Sequence, residues 1–103
     1  MLKFKRMLKR KVFAMLKKFV FPAVLYFDDE AQVFVLDVHD CGLIAEAATV
    51  EEVHQKAAEF LKSYLDYAVK YECEIPEPTE YDTMAKEHPK EICLLVEAEV
   101  DIK

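Results

Sequence analysis

The sequence predicts an α+β domain, a small antiparallel sheet with one long helix on one face. Three observations predict it. Residues 92–102 alternate between apolar and polar positions, residues 50–70 keep helical spacing behind a capping box, and two runs rich in β-branched and aromatic residues, 19–27 and 31–38, stand close enough for a hairpin. The predicted order is β-β-β-α-β, preceded by an amphipathic helix. With 103 residues, 53% apolar and 33% charged, the chain suffices for one packed core and does not read as a disordered segment.

The elements follow in order. Between residues 2 and 19, Phe4, Leu8, Val12, Met15 and Phe19 recur at three- and four-residue spacing among lysines and arginines, which predicts a helix over residues 3–16. Residues 1–16 are therefore set apart as a basic arm and 17–103 as the domain. The first strand is read over 19–27. Its Pro22 cannot donate a ladder hydrogen bond, so the strand should lie at an edge or carry a bulge there. Residues 28–30 form a turn into a second strand, 31–38, with Phe34, Leu36 and Val38 on one face and Val33, Val35 and Asp37 on the other. A loop at 39–42 leads to a short third strand at 43–47.

Thr49-Val50-Glu51-Glu52 opens the helix as a capping box, and Val50, Val53, Ala57, Phe60, Leu61, Tyr64 and Ala68 form its apolar side. Glu52 with Lys56, and Asp66 with Lys70, are acid-first i,i+4 pairs. The helix should stop before Ile75-Pro76-Glu77-Pro78. Residues 79–88 read as polar with about one helical turn. In the last strand Ile92, Leu94, Val96, Ala98, Val100 and Ile102 face the core and Glu97, Glu99 and Asp101 face away.

Composition excludes several functions. A single glycine, Gly42, rules out the glycine-rich phosphate loops, and three cysteines without a C-x-x-C pair make neither a disulfide framework nor a zinc ribbon. A reducing cytoplasm suits them. The run 19–27 is interrupted by Pro22 and is far short of the roughly 20 apolar residues of a membrane span. Charge is segregated: residues 1–18 carry eight lysines and arginines and no acid, whereas the rest carries six lysines against twenty acids. An acidic body repels phosphate backbones and attracts cationic partners.

Catalytic readings are weak. Asp37, Asp40 and Glu46 are the nearest approach to a two-metal carboxylate set, His39-Asp40-Cys41 holds base, acid and nucleophile types side by side, and His39, Cys41 and His54 lack paired metal-ligand spacing. Each reads better as solvated surface or polar loop. No catalytic residue, metal or cofactor is expected. Tyr64, Tyr67 and Tyr71 read as core and rim.

Taken together, Phe21-Pro22-Ala23, the Asp40-Cys41-Gly42 loop, Thr49-Val50-Glu51-Glu52 and above all Ile75-Pro76-Glu77-Pro78 resemble the HicB family of type II antitoxins over roughly residues 17–101. The resemblance implies a partial ribonuclease-H-like fold and a non-enzymatic protein that occludes the active site of a small basic HicA-type, mRNA-cleaving toxin. Family members usually continue into an operator-binding domain. This sequence ends at Lys103, so direct operator binding is not expected, and residues 1–14 read as an extension ahead of the family's usual start. On this reading Asp28, Asp29, Glu30, Asp37 and Asp40, or Glu97, Glu99 and Asp101, are the candidates for pairing with toxin lysines and arginines. The sheet's second face holds Val33, Val35, Cys93 and Leu95, and the arm is expected to cover it through Phe4, Leu8 and Val12, within one chain or across a homodimer. The alternative is an orphan structural or regulatory domain acting through self-association or its basic arm.

Overall fold

The computed structural model describes residues 15–102. Strand β1 spans Leu16–Asp28, β2 Val33–Val38 and β3 Leu43–Ala47, with a 3-10 turn at His39–Cys41 between the last two. Helix α1 spans Val50–Lys70, helix α2 Tyr81–Glu87, and β4 Ile92–Asp101 closes the order. The four strands form one antiparallel sheet in the order β3-β2-β1-β4. The β-β-β-α-β plan is thus present, with α2 added before the last strand.

Alternation sorts the side chains. Phe21, Ala23 and Leu25 of β1, Leu36 and Val38 of β2, Ala45 of β3 and Val96, Ala98 and Val100 of β4 form one buried face. Against it α1 lays Val53, Ala57, Leu61, Leu65 and Ala68, a stripe at three- and four-residue spacing. Thr49 caps α1 by accepting from the Glu52 amide at 3.1 Å. The Glu52 carboxylate accepts from the Thr49 hydroxyl at 2.9 Å, in place of the backward reach to the backbone that a capping box predicts.

Three local expectations are corrected. Leu16–Phe19 belong to β1, so the helical stripe does not extend through Phe19; this stretch pairs with β4 from Leu16↔Asp101 onward. Phe4, Leu8 and Val12 lie outside the described residues. The ion pair on α1 runs from Lys62 to Asp66 at 3.2 Å, because Lys56 turns away to donate to the Glu46 carbonyl at 3.0 Å. Residues 79–88 contain a two-turn helix with a buried residue, since Met84 packs on Val24 and Cys93 of the second sheet face. Part of the cover expected from the arm is therefore supplied by α2.

Pro22 is accommodated as its chemistry requires. Pairing of β1 with β2 covers Val24 to Asp28 and stops short of Pro22, so there β1 has a hydrogen-bonded strand on the β4 side alone. The central strand behaves locally as an edge.

Candidate partner-binding surface

Lacking any binding motif, the surface has to be read from which groups are already engaged. Asp28 holds the hairpin turn. Its Oδ1 accepts from the amides of Glu30 at 3.0 Å and Ala31 at 3.2 Å, and its carbonyl accepts from the Gln32 amide at 2.8 Å. Gln32 sits at φ +57°, the left-handed position that closes such a loop. Asp40 is engaged further: Thr79 donates its amide to Oδ2 and its hydroxyl to Oδ1, both at 2.7 Å. That clamp ties the 3-10 turn to the segment leading into α2. Asp29 and Glu30 stand exposed at the hairpin tip.

On the second sheet face the strands place Asp37, Glu46, Glu97, Glu99 and Asp101 at outward-alternating positions, together with exposed Ile44, Leu95 and Tyr26. Lys18 pairs with Glu97 at 3.5 Å on the exposed surface. Asp101 accepts from the Met15 amide at 3.3 Å. The two candidate acidic clusters sit at opposite ends of β1, since Asp101 is opposite Leu16 whereas Asp29 and Glu30 follow Asp28. Twelve strand steps separate those ends, roughly 40 Å. Asp37 divides from its sequence neighbours and joins the face of Glu97 and Glu99. Sequence reading passed over Glu46 as a member of this face; its place directly across from Val35 in the β2–β3 register puts it there.

Both edges of the sheet are capped by side chains. Even-numbered β4 residues are paired to β1, so odd-numbered ones turn their carbonyls outward. The Tyr81 hydroxyl donates to Cys93 O at 3.1 Å, His54 Nε2 to Leu95 O at 2.8 Å, and Lys62 Nζ to Glu99 O at 3.4 Å. Lys56 does the same for β3 at Glu46 O. Such caps satisfy acceptors that an incoming strand would use. Charged and polar positions on α1 that look like a plain solvated face in sequence have this second task.

The residues weighed for chemistry are dispersed by the fold. His54 faces the β4 edge and Asp40 is occupied by Thr79. Burial and the neighbouring Asp40 charge push the Cys41 thiol up to about 11, which opposes the thiolate a nucleophile needs. Among the described residues no three histidines, cysteines or carboxylates group to hold a metal ion. Tyr64 is half-buried, and burial raises its hydroxyl pKa; Tyr67 and Tyr71 are exposed, their ring centroids 4.6 Å apart. Among the described residues no helix is long and apolar enough to cross a membrane.

Compared by sequence, the chain matches no family model and no curated protein. Compared by structure, it shares its fold with the antitoxin HicB of Burkholderia pseudomallei at 16% identity and a TM-score of 0.65, over 76% of this chain and 61% of that one. It also matches a chain of a toxin–antitoxin complex from Streptococcus pneumoniae, 14% identical with a TM-score of 0.61, over 84% of this chain and 71% of that one. This chain spans about three-fifths of the HicB antitoxin's length. The architecture is thus HicB-like, as the resemblance in sequence implied.

Proposed function

We propose that the protein is a non-enzymatic, cytoplasmic antitoxin that binds a small basic ribonuclease of the HicA type and covers its active site. The observation that carries this reading is the likeness of fold to an antitoxin HicB and to a chain of a toxin–antitoxin complex. The acidic second face supports it. A ribonuclease offers cations where RNA phosphates bind, and Asp37, Glu46, Glu97 and Glu99 would meet them around an apolar centre at Ile44 and Leu95. This assigns the toxin to the sheet face and leaves Asp29 and Glu30 at the rim or outside. A homodimer belongs to the same proposal.

Co-expression with a small basic protein encoded beside its gene tests the reading. Restored growth and a co-purifying complex are expected. Continued arrest without a complex would remove the antitoxin role and favour a domain acting through self-association or its basic arm.

A further inference from the structure

We infer that the aromatic ridge along α1, made of Phe60, Tyr64, Tyr67 and Tyr71, is where two copies of the chain pair, with their α1 helices antiparallel. This inference rests on the homodimer of the proposed reading and is independent of its toxin. The ridge is a second stripe on one helix. At about 100° per residue its four side chains fall within roughly 60° of one another, and roughly 70° round the helix from the stripe of Val53, Ala57, Leu61, Leu65 and Ala68 that seals the core. Tyr64 is half-buried, whereas Phe60 is 40% exposed, Tyr67 61% and Tyr71 56%. Their spacing of four, three and four is the one at which side chains interlock between paired helices. The outer rings are already held: those of Tyr67 and Tyr71 stand 4.6 Å apart, and the Lys70 ammonium lies 5.4 Å from the centre of the Tyr71 ring. Ordering them on contact therefore costs little entropy.

Charge selects a second copy as the occupant and sets its direction. Glu59 and Lys70 are exposed on the flank of the ridge turned away from the sheet. Among the described residues neither enters an ion pair, Asp66 being taken by Lys62 at 3.2 Å. Eleven helical steps, about 16 Å, keep the two from meeting within one chain. Antiparallel helices related by a twofold axis can set Tyr64 opposite the second copy's Tyr67 and Phe60 opposite its Tyr71. The flank then meets itself reversed, and Glu59 of each chain comes within about 3 Å, along the axis, of Lys70 of the other. Parallel helices would instead set Glu59 against Glu59 and Lys70 against Lys70. The ridge is thus complementary to its own reversed copy, as a twofold contact requires. Its three exposed rings offer on the order of 300 Å2 per chain, the small end of specific interfaces, so the dimer should dissociate on dilution in the micromolar range. The second sheet face, across the sheet from α1, stays free in such a pair.

Sedimentation of the full chain over a dilution series tests the pairing. The native chain should pass from dimer to monomer as it is diluted. Tyr67→Ser with Tyr71→Ser should raise the dissociation constant about thirtyfold or more, as loss of aromatic anchors does, while the unfolding midpoint of the monomer hardly moves because both rings are exposed. Lys70→Glu alone and Glu59→Lys alone should each weaken the dimer about threefold to tenfold, and the two together in one chain should restore it. A native chain that stays monomeric into the millimolar range overturns the inference together with the homodimer, and leaves the toxin to the co-expression test. A dimer whose dissociation constant is unmoved by the tyrosine substitutions overturns the inference while the homodimer stands. Single reversals that weaken the dimer without mutual rescue also overturn it, because antiparallel pairing demands the rescue.

Discussion

On the α1 face of the sheet, Phe21, Leu36, Val96 and Val100 are sealed under a 21-residue helix, whereas on the opposite face the seven-residue α2 seals only the neighbourhood of Val24 and Cys93. The same strands supply both faces, and alternation alone gives one of them the core and the other the carboxylates. The contrast separates two tasks. Burial of apolar area on the α1 face holds the fold at roughly 25 cal/mol per Å2, while the second face can carry charge and exposed Ile44 and Leu95 without loss of the core. A binding surface on the second face could therefore vary with little effect on stability.

The largest expected effect breaks the sealed face. Leu61 is fully buried between α1 and the sheet, so Leu61→Ala should cost about 2 to 5 kcal/mol in denaturant unfolding. Met84 is equally buried but belongs to a three-residue cluster under a short helix, where the surroundings can collapse around a lost side chain. Met84→Ala should therefore fall at the low end, about 2 kcal/mol. Equal losses at the two positions would mean that α2 is as integral to the core as α1.

The same contrast explains what the sequence displayed. Residues 92–102 and 50–70 announce themselves because each has one apolar side and one polar side over many residues, and the fold keeps both patterns with corrections: Val50, Phe60, Ile92 and Ile102, read as facing the core, are exposed, and Leu65, not named in that reading, is buried. Helix α2 shows in the sequence only as about one polar turn within 79–88, because its burial rests on Met84 and partly buried Ala85 amid Tyr81, Asp82, Thr83, Lys86 and Glu87. A seven-residue helix has too little period to register. The beginning of β1 was hidden by Lys17 and Lys18, which continue the basic spacing of the arm although their backbone pairs with β4. Least legible were the contacts of long range: nothing local in Asp40 points to Thr79, and nothing in Lys56, His54 or Lys62 announces a strand edge. The acidic face was half legible, because Glu97, Glu99 and Asp101 alternate openly while Glu46 joins them only through the β2–β3 register.

An intermediate effect is expected at the clamp between the two sides. Asp40→Ala strands the part-buried Thr79 amide and hydroxyl, and should cost about 1 to 3 kcal/mol. Asp40→Asn retains one acceptor and should cost less, as should Thr79→Ser, which keeps both donors. A loss at Asp40→Ala below about 0.5 kcal/mol would show that water replaces the carboxylate, and that the segment leading to α2 is held by packing instead.

The smallest stability effect, and the sharpest division between the faces, belongs to Glu97 and Glu99. Both are exposed, and the Lys18–Glu97 pair at 3.5 Å is of the surface kind whose contribution is about 0 to 1 kcal/mol. Glu97→Lys with Glu99→Lys should leave the unfolding midpoint nearly where it was. If the proposed antitoxin reading holds, association with the basic partner should slow, and its dependence on salt should flatten, because steering by long-range charge acts on the encounter more than on the bound state. The matched substitution at the hairpin tip, Asp29→Lys with Glu30→Lys, lies eight to ten strand steps along β1 from Glu97 and Glu99, roughly 30 Å away, and should change the rate less. Stopped-flow mixing at two ionic strengths measures both pairs. If the tip variant slows association as much as the strand variant does, net charge alone steers the encounter and the second face loses its claim to the partner; if only the tip variant slows it, the partner docks at the hairpin.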